Sequence, residues 1–321
     1  MVDLTDLTDR PGAATRPVIV VVGPTAVGKS AFAISLAGEL GGEVVNADSM
    51  QLYAGMDIGT AKVTAAERGG TPHHLLDIWP VTEAATVADY QQRARAAIAD
   101  IHARGAVPIL TGGSGLYIQA TIDALEFPGT DLQIRARLEA EVEREGSAAL
   151  HRRLAALDPV AAAANSPQNA RRIVRALEVI ELTGRPFSDG PGMAAYESIY
   201  PGLQMVGLDL PLATLDERIA QRVDAMWERG FVDEVRRLDQ LGLREGVTAR
   251  RALGYQQILR LLAGDCAEGF AKTETVRATR RFVRRQLSWF RRDPRIRWLD
   301  AASDPLVAFR SGSGKADHPF G

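Results

Sequence analysis

Eight residues near the start of the chain constrain its fold more than any other feature. Gly23-Pro24-Thr25-Ala26-Val27-Gly28-Lys29-Ser30 fits the pattern G-x-x-x-x-G-K-[ST]. The run Pro17 to Val22 before it is apolar and β-branched, which suits a buried parallel strand; Ala31 to Leu40 after it is rich in Ala, Leu and Glu, which suits a helix. A strand, a glycine loop and a helix in that order point successive backbone N–H groups into one concavity at the helix N-terminus. Gly23 and Gly28 let the backbone approach an anion, Lys29 adds a point charge, and the Ser30 hydroxyl suits Mg²⁺. Such a segment is built to hold a phosphate or diphosphate, the alternative being a glycine-rich turn without a ligand.

Which phosphate, and what is done with it, depends on the rest of the chain. The 321 residues suffice for one large domain or two smaller ones, and 46% hydrophobic with 24% charged content is ordinary for a soluble protein. The single cysteine, Cys266, excludes an intrachain disulfide, and the five His show no Cys/His zinc spacing. Residues 1–16 carry acids and no apolar run, and no segment reaches the ~18 apolar residues of a membrane span. The expectation is a cytoplasmic monomer without a membrane anchor.

Strands alternate with helices through the first part of the chain. Glu43 to Asn46 reads as a second strand leading into Asp48-Ser49-Met50-Gln51. After the apolar stretch Leu75 to Ile78 comes an amphipathic helix through Val87, Tyr90, Ala94, Ile98 and Ile101, then a strand at Val107 to Leu110 entering Gly112-Gly113-Ser114. From about 128 to 199 the pattern is helical, bounded by Phe127-Pro128-Gly129 and Gly190-Pro191-Gly192, and a strand resumes at Leu203 to Asp209. The expected fold class is α/β: a P-loop-containing parallel-sheet core (17–127 and 200–300, ending in a basic helix) with an inserted all-helical domain (128–199), between loose tails at 1–16 and 301–321.

Charge is segregated. Residues 277–297 hold nine Arg and one acid, Asp293, for +8, leaving −10 on the other 300 residues. Placed at 100° per residue, Arg277, Arg280, Arg281, Arg284, Arg285, Arg291 and Arg292 occupy an arc of roughly 140° beside an apolar stripe of Val276, Val283, Leu287 and Phe290. That stripe would run about 22 Å and follow several phosphates of a nucleic acid, RNA above all, with Trp289 and Trp298 interleaved. A solvated basic face is the alternative. A second basic helix, Asn169 to Ile180, turns Arg171, Arg172 and Arg175 away from Ile173, Leu177 and Ile180.

In a parallel sheet, Asp48 after the second strand and Ser114 after a later one converge on the phosphate loop. An ionised carboxylate there can take a proton from a nucleophile; a Mg²⁺ or helix-cap role is the alternative. Ser114 can meet a leaving-group oxygen or cap its own helix. No apolar run ends in Asp-Glu and no Asn-Lys-x-Asp segment is present, which counts against motor ATPases and switch GTPases; a small-molecule kinase would share the loop but leave the arginine stripe idle, and a non-catalytic RNA-binding ATPase would leave Asp48 and Ser114 without work.

Seven segments in one order resemble bacterial tRNA dimethylallyltransferases: Gly23 to Ser30, Asp48-Ser-Met-Gln-Leu-Tyr53, Asp57-Ile-Gly-Thr-Ala-Lys62, Gly112-Gly-Ser-Gly-Leu-Tyr117, Arg175-Ala-Leu-Glu178, Leu253-Gly-Tyr-Gln256 and Arg285-Gln-Leu-Ser-Trp-Phe-Arg291. The resemblance runs from about residue 17 to 300. It implies a P-loop core with a helical insertion. It also implies transfer of a dimethylallyl group from dimethylallyl diphosphate to N6 of the adenosine 3′ to the anticodon, with Mg²⁺; a prenyltransferase acting on free adenylate is the near alternative. On this resemblance Thr25 and Gly28 to Ser30 would hold the diphosphate, with Arg222 as a second cation, Asp48 would take the amine proton and Ser114 would touch the reacting centre. The tRNA anticodon stem-loop would be held by Asp48, Ser49, Met50, Gln51, Ser114, Arg135, Arg171, Arg172, Arg175, Arg251, Gly254, Tyr255, Gln256, Arg284, Arg285, Gln286, Trp289 and Arg291. Ser114 stands where the family commonly has Thr, and Arg171 where it commonly has Gln.

Overall fold

The computed structural model describes residues 16–190 and 196–312. The expected first tail lies outside these apart from Arg16, as do Pro191, Gly192 and everything from 313 on. The chain divides into two compact units, one of residues 1–122 and 198–321, the other of 123–197.

The first unit is built on six parallel strands, β1 (Ile19–Val22), β2 (Gly42–Asn46), β3 (His73–His74), β4 (Val107–Thr111), β5 (Gln204–Asp209) and β6 (Ile296–Asp300), in the order β3-β2-β4-β1-β5-β6. β1 is apolar at every position because both of its faces are covered. Val20 and Val22 join Val45, Leu110, Tyr90 and Ile98 on one side; Ile19 and Val21 join Phe32, Leu36, Ile109, Val283 and Leu287 on the other. The helix Val87–Ala103 buries Tyr90, Ala94, Ile98 and Ile101 as its period predicts, and Thr86 caps it by accepting from the Asp89 N–H. Because all strands run one way, the loops after β1, β2 and β4 gather beyond one edge of the sheet.

Expectations for the last part of the chain need correction. The basic helix, Glu268–Phe290, stops before Arg291, since Pro294 cannot continue it and disfavours a helical Asp293. Arg291 caps the helix, its N–H still donating to the Leu287 carbonyl at 3.0 Å, and Arg292 lies beyond it. Residues 296–300 then form the edge strand β6, where the Trp298 ring lies against β5; a Cβ on Gly207 would come 2.6 Å from it. The stretch read as a tail contains the helix Pro305–Arg310, capped by Asp304 and anchored by Phe309, which meets Phe32 edge-on at 6.3 Å. The apolar stretch Leu75 to Ile78 is a turn with Leu75 and Asp77 at positive φ, and the paired residues are His73 and His74 just before it.

The second unit, beginning at 123 instead of 128, contains the helices Leu132–Glu145, Ser147–Leu157, Pro159–Ala164 and Ala170–Thr183 around Leu138, Leu150, Leu154, Ile173 and Leu177. Asp131, Asp158 and Asn169 each accept from a backbone N–H in the first turn of the following helix.

Candidate active site

The phosphate loop leaves β1 at Gly23 with φ 141°, where a Cβ would sit 2.6 Å from the Leu208 carbonyl oxygen. It enters the helix Lys29–Leu40 through Gly28 at φ 107°, with no side chain capping the helix. The N–H groups of that first turn have no intrahelical acceptor and form a cradle for an anion. Ala26 is held at φ 69°, uncommon for a residue with a Cβ. The Lys29 Nζ donates to the Pro24 carbonyl at 2.8 Å. Burial lowers its pKa to about 8; Asp48 opposes the shift and Arg222 adds to it. The opposing and adding charges place a carboxylate and a second cation in the electrostatic field of the loop.

Asp48 is fixed by its neighbours. Its N–H donates to Asn46 Oδ1 at 3.0 Å, and Asn46 Nδ2 donates to the carbonyls of Asp48 (3.1 Å) and Leu75 (2.9 Å). Asp48 Oδ1 accepts from the Met50 N–H at 2.9 Å, which folds Asp48 to Gln51 into a turn. Its Oδ2 has no hydrogen-bond partner among the described residues. The Tyr90 hydroxyl, deep in the core, supports the end of β2 by donating to the Asn46 carbonyl at 2.9 Å.

Ser114 and Ser49 meet across the two loops. The Ser114 hydroxyl accepts from the Ser49 N–H at 3.1 Å and donates to Ser49 Oγ at 3.1 Å. This approach needs Gly112, since a Cβ there would overlap the Ala47 backbone. The helix Gly115–Ile122 begins immediately after Ser114, whose carbonyl accepts from the Tyr117 and Ile118 N–H groups.

Arg222 and Gln51 converge on a third segment. The Arg222 Nη2 and the Gln51 Nε2 each donate to the Thr60 carbonyl at 3.2 Å. Burial lowers the Arg222 pKa, and Asp48 opposes that shift. The Asp57 to Lys62 segment is pinned from below by buried charges. Glu234 accepts from the N–H groups of Asp57, Ile58 and Gly59 at 3.1, 2.7 and 3.1 Å. Lys62, also buried, donates to Tyr53 O at 3.0 Å, Asp57 at 2.6 Å and Asp77 at 2.5 Å. Neither Glu234 nor Lys62 was expected in the site. The available signal was an acid at an inward helix position, between Phe231 and Val235 and Leu238.

Several expected RNA contacts lie elsewhere. Tyr255 is fully buried, donating its hydroxyl to Glu234 at 2.6 Å, and Gly254 is buried against Phe231; both are core residues. Gln286 is 4% exposed and spends both ends of its amide inside the protein. Trp289 is half-buried against Gly115, whose Cβ would overlap its ring. Acids do meet the arginines, Asp216 and Asp209 from other elements and Glu274 from the helix itself. Asp216 pairs with Arg284 at 3.3 Å and with Arg280 at 3.6 Å, Asp209 with Arg291 at 3.4 Å, and Glu274 with Arg277 at 3.3 Å. Arg281, Arg285 and Arg292 are exposed without an acidic partner among the described residues, Arg285 lying over the Phe282 ring. Arg251 and Gln256 are exposed and Ser49, Met50 and Gln51 half-buried.

Within the second unit, Arg135 and Arg175 both bind the buried Glu178, at 2.7 and 2.9 Å, and Arg175 also donates to the Pro128 carbonyl at 2.6 Å. Burial penalises the Glu178 carboxylate, yet its arginine partners outweigh that and hold its pKa below the ordinary value. These two arginines hold the fold of the unit; Arg171 and Arg172 point to solvent.

The donor set suits a hard cation held mainly by a substrate. No group of three His, Cys, Asp or Glu among the described residues forms a protein-only metal site. The Ser30 hydroxyl has no protein partner there, and Asp48 Oδ2 is open. Mg²⁺ bound through one or two protein oxygens, substrate phosphates and water fits that arrangement.

Fold and site together define a P-loop α/β protein in which an anion cradle, two cations and a fixed carboxylate share one edge of a parallel sheet. The profile of the IPP transferase family matches residues 51–293. A tRNA dimethylallyltransferase of Thermobifida fusca is 63% identical over 295 residues, which cover 90% of this chain and 92% of that one. The crystal structure of the full-length tRNA isopentenylpyrophosphate transferase of Bacillus halodurans superposes with a TM-score of 0.68 at 42% identity, covering 92% of this chain and 96% of that one. A eukaryotic dimethylallyltransferase solved acting on tRNA gives a TM-score of 0.77 at 27% identity, over 91% of this chain and 75% of that one. The chain belongs to the IPP transferase family.

Proposed function

We propose that this chain transfers a dimethylallyl group from dimethylallyl diphosphate to N6 of the adenosine 3′-adjacent to the anticodon in tRNA, releasing diphosphate. The observation that carries this reading is the open Oδ2 of Asp48 beside the cationic loop: a base and an anion cradle in one site, as nucleophilic displacement of a diphosphate requires. The amine nitrogen forms a bond to the allylic carbon, the carbon–oxygen bond to diphosphate breaks, and Asp48 accepts the amine proton. An adenine amine is a weak nucleophile, so the rate depends on positioning and on neutralising the leaving charge. Lys29, the loop N–H groups from Gly28 to Ser30, and Arg222 supply that neutralisation. Ser30 would hold Mg²⁺ together with the diphosphate, and the ion would supply further positive charge at the leaving group.

The adenine must leave its stack to reach Asp48, which costs about a few kcal/mol and least in a single-stranded loop. Arg281 and Arg285, exposed and free of acids, are the strongest phosphate contacts on the long basic helix, with Arg284 and Arg291 recruited by breaking weaker pairs. Arg171 and Arg172 serve the same substrate from the second unit. Among the described residues no helix is long and apolar enough to cross a membrane, and we place the activity in the cytoplasm, carried by a monomer.

Incubation with labelled dimethylallyl diphosphate, Mg²⁺ and bulk tRNA, with AMP and ATP as rival acceptors, tests the reading. Label in tRNA is the expected result. Label in AMP would identify an adenylate prenyltransferase, and phosphate transfer from ATP would identify a kinase.

A further inference from the structure

The long basic helix does more than carry arginines. Its buried face reaches both loops of the site through one side chain. Gln286 Oε1 accepts from the Thr25 N–H at 2.9 Å, and Gln286 Nε2 donates to the Gly113 carbonyl at 2.9 Å. Thr25 belongs to the phosphate loop, and Gly113 directly precedes Ser114. The two partners lie 261 and 173 residues from Gln286 in sequence and are joined by its single amide. The fit is close enough that a Cβ on Gly113 would overlap Gln286 Nε2. One turn further on, Trp289 covers Gly115. A primary amide offers a donor and an acceptor from the two arms of one planar group, whereas an ionised Glu has no donor and Lys no acceptor, so neither can make both bonds.

We propose that Gln286 is a positioning residue that holds the phosphate loop and the Ser114 loop in register, and so ties the diphosphate cradle to the helix whose outer face carries Arg281 and Arg285. It touches neither substrate. The Thr25 N–H, turned into the helix by Gln286, fixes the start of the loop that must present the N–H groups of Gly28 to Ser30 to the anion. The Gly113 carbonyl, fixed by the other end of the amide, sets where Ser114 meets Ser49. A helix with exposed arginines on its outer face thus contains a residue whose work is on the diphosphate side. The proposal rests on the reading of the site as a diphosphate cradle.

The test is Gln286→Met, which keeps the length of the side chain and removes both bonds, with Gly113→Ala as an independent variant that displaces the amide from the opposite side. Inorganic diphosphate with Mg²⁺ is titrated by calorimetry without RNA, an anticodon stem-loop RNA is titrated separately, and steady-state prenyl transfer is measured. The expected result for both variants is diphosphate affinity weakened by about tenfold, turnover lowered by at least as much, and RNA affinity within about twofold of the unmodified protein. Loss of RNA affinity with diphosphate binding intact would make Gln286 an RNA contact and overturn the proposal. Unchanged diphosphate affinity and turnover in a folded Gln286→Met protein would also overturn it. If the unmodified protein binds no diphosphate at all, the cradle reading itself fails, which separates that failure from failure of the clamp.

Discussion

Tyr255 donates its hydroxyl to Glu234 at 2.6 Å in the interior of the first unit, and the same carboxylate collects the N–H groups of Asp57, Ile58 and Gly59. Two motifs far apart in sequence, Asp57-Ile-Gly-Thr-Ala-Lys62 and Leu253-Gly-Tyr-Gln256, are therefore halves of one buried anion nest. The nest sets the Thr60 carbonyl that Arg222 and Gln51 share.

Glu234→Gln should unfold more easily and bind diphosphate less well. The amide would turn N–H donors toward the Asp57 and Ile58 N–H groups, leaving buried donors unsatisfied at a cost of about 3 kcal/mol. Urea denaturation reads the stability and calorimetry with inorganic diphosphate reads the site. A variant with unchanged stability would show that the nest contributes nothing.

The pH dependence of diphosphate binding follows from Lys29. Burial lowers its pKa to about 8, so the free protein holds this charge at neutral pH and loses it as pH rises through about 8. Diphosphate affinity should fall across that interval. In Lys29→Arg, whose guanidinium stays charged throughout, the fall should be absent even though overall affinity is lower. A parallel decline in both proteins would assign the effect to another group.

Glu178 gives the second unit its own acid sensitivity. Its folded-state pKa lies below the ordinary 4.5, so the ion pairs with Arg135 and Arg175 stabilise the unit above that value and are lost as pH falls below it through the folded pKa. Glu178→Ala leaves two half-buried guanidinium groups without their partner and should cost about 3 kcal/mol at neutral pH. Protection of residues 132–183 against hydrogen exchange, taken relative to the intrinsic rate at each pH, should fall in the variant at neutral pH, and in the unmodified chain only once the pH is taken below 4.5.

The arginines of the long helix should not be equivalent. Replacing Arg281 and Arg285 together by Ala should reduce the slope of log affinity for tRNA against log salt by about 1 to 2. Arg284→Ala should do less, because Asp216 already neutralises much of that charge. Equal effects from all three would mean that the Asp216 pair dissolves before RNA binds.

Local features were legible in the sequence and distant partnerships were not. The phosphate loop, the helix Val87–Ala103 and the strands β1, β2, β4 and β5 follow from periodicity, glycine placement and β-branched runs, each settled within a dozen residues. That the loops carrying Asp48 and Ser114 lie side by side could be read from sequence because strand ends in a parallel sheet face one edge. The functions of Gln286, Tyr255 and Glu234 depend on partners that only folding brings near, so Gln286 and Tyr255 looked like members of RNA-binding segments. β6 was hidden by charge. Its Arg297 stacks on Phe309 and its Trp298 fills the space left by Gly207, so a basic stretch serves as a sheet edge.

The role of Asp48 as base for an attacking amine is decided by Asp48→Asn. Asn keeps the Oδ1 acceptor for the Met50 N–H and hence the turn, while removing the ability to take a proton. Single-turnover transfer of labelled dimethylallyl to tRNA should slow by about 10²- to 10⁴-fold, with tRNA affinity changed no more than a few-fold. Transfer at the unmodified rate by a folded Asp48→Asn protein would contradict the account.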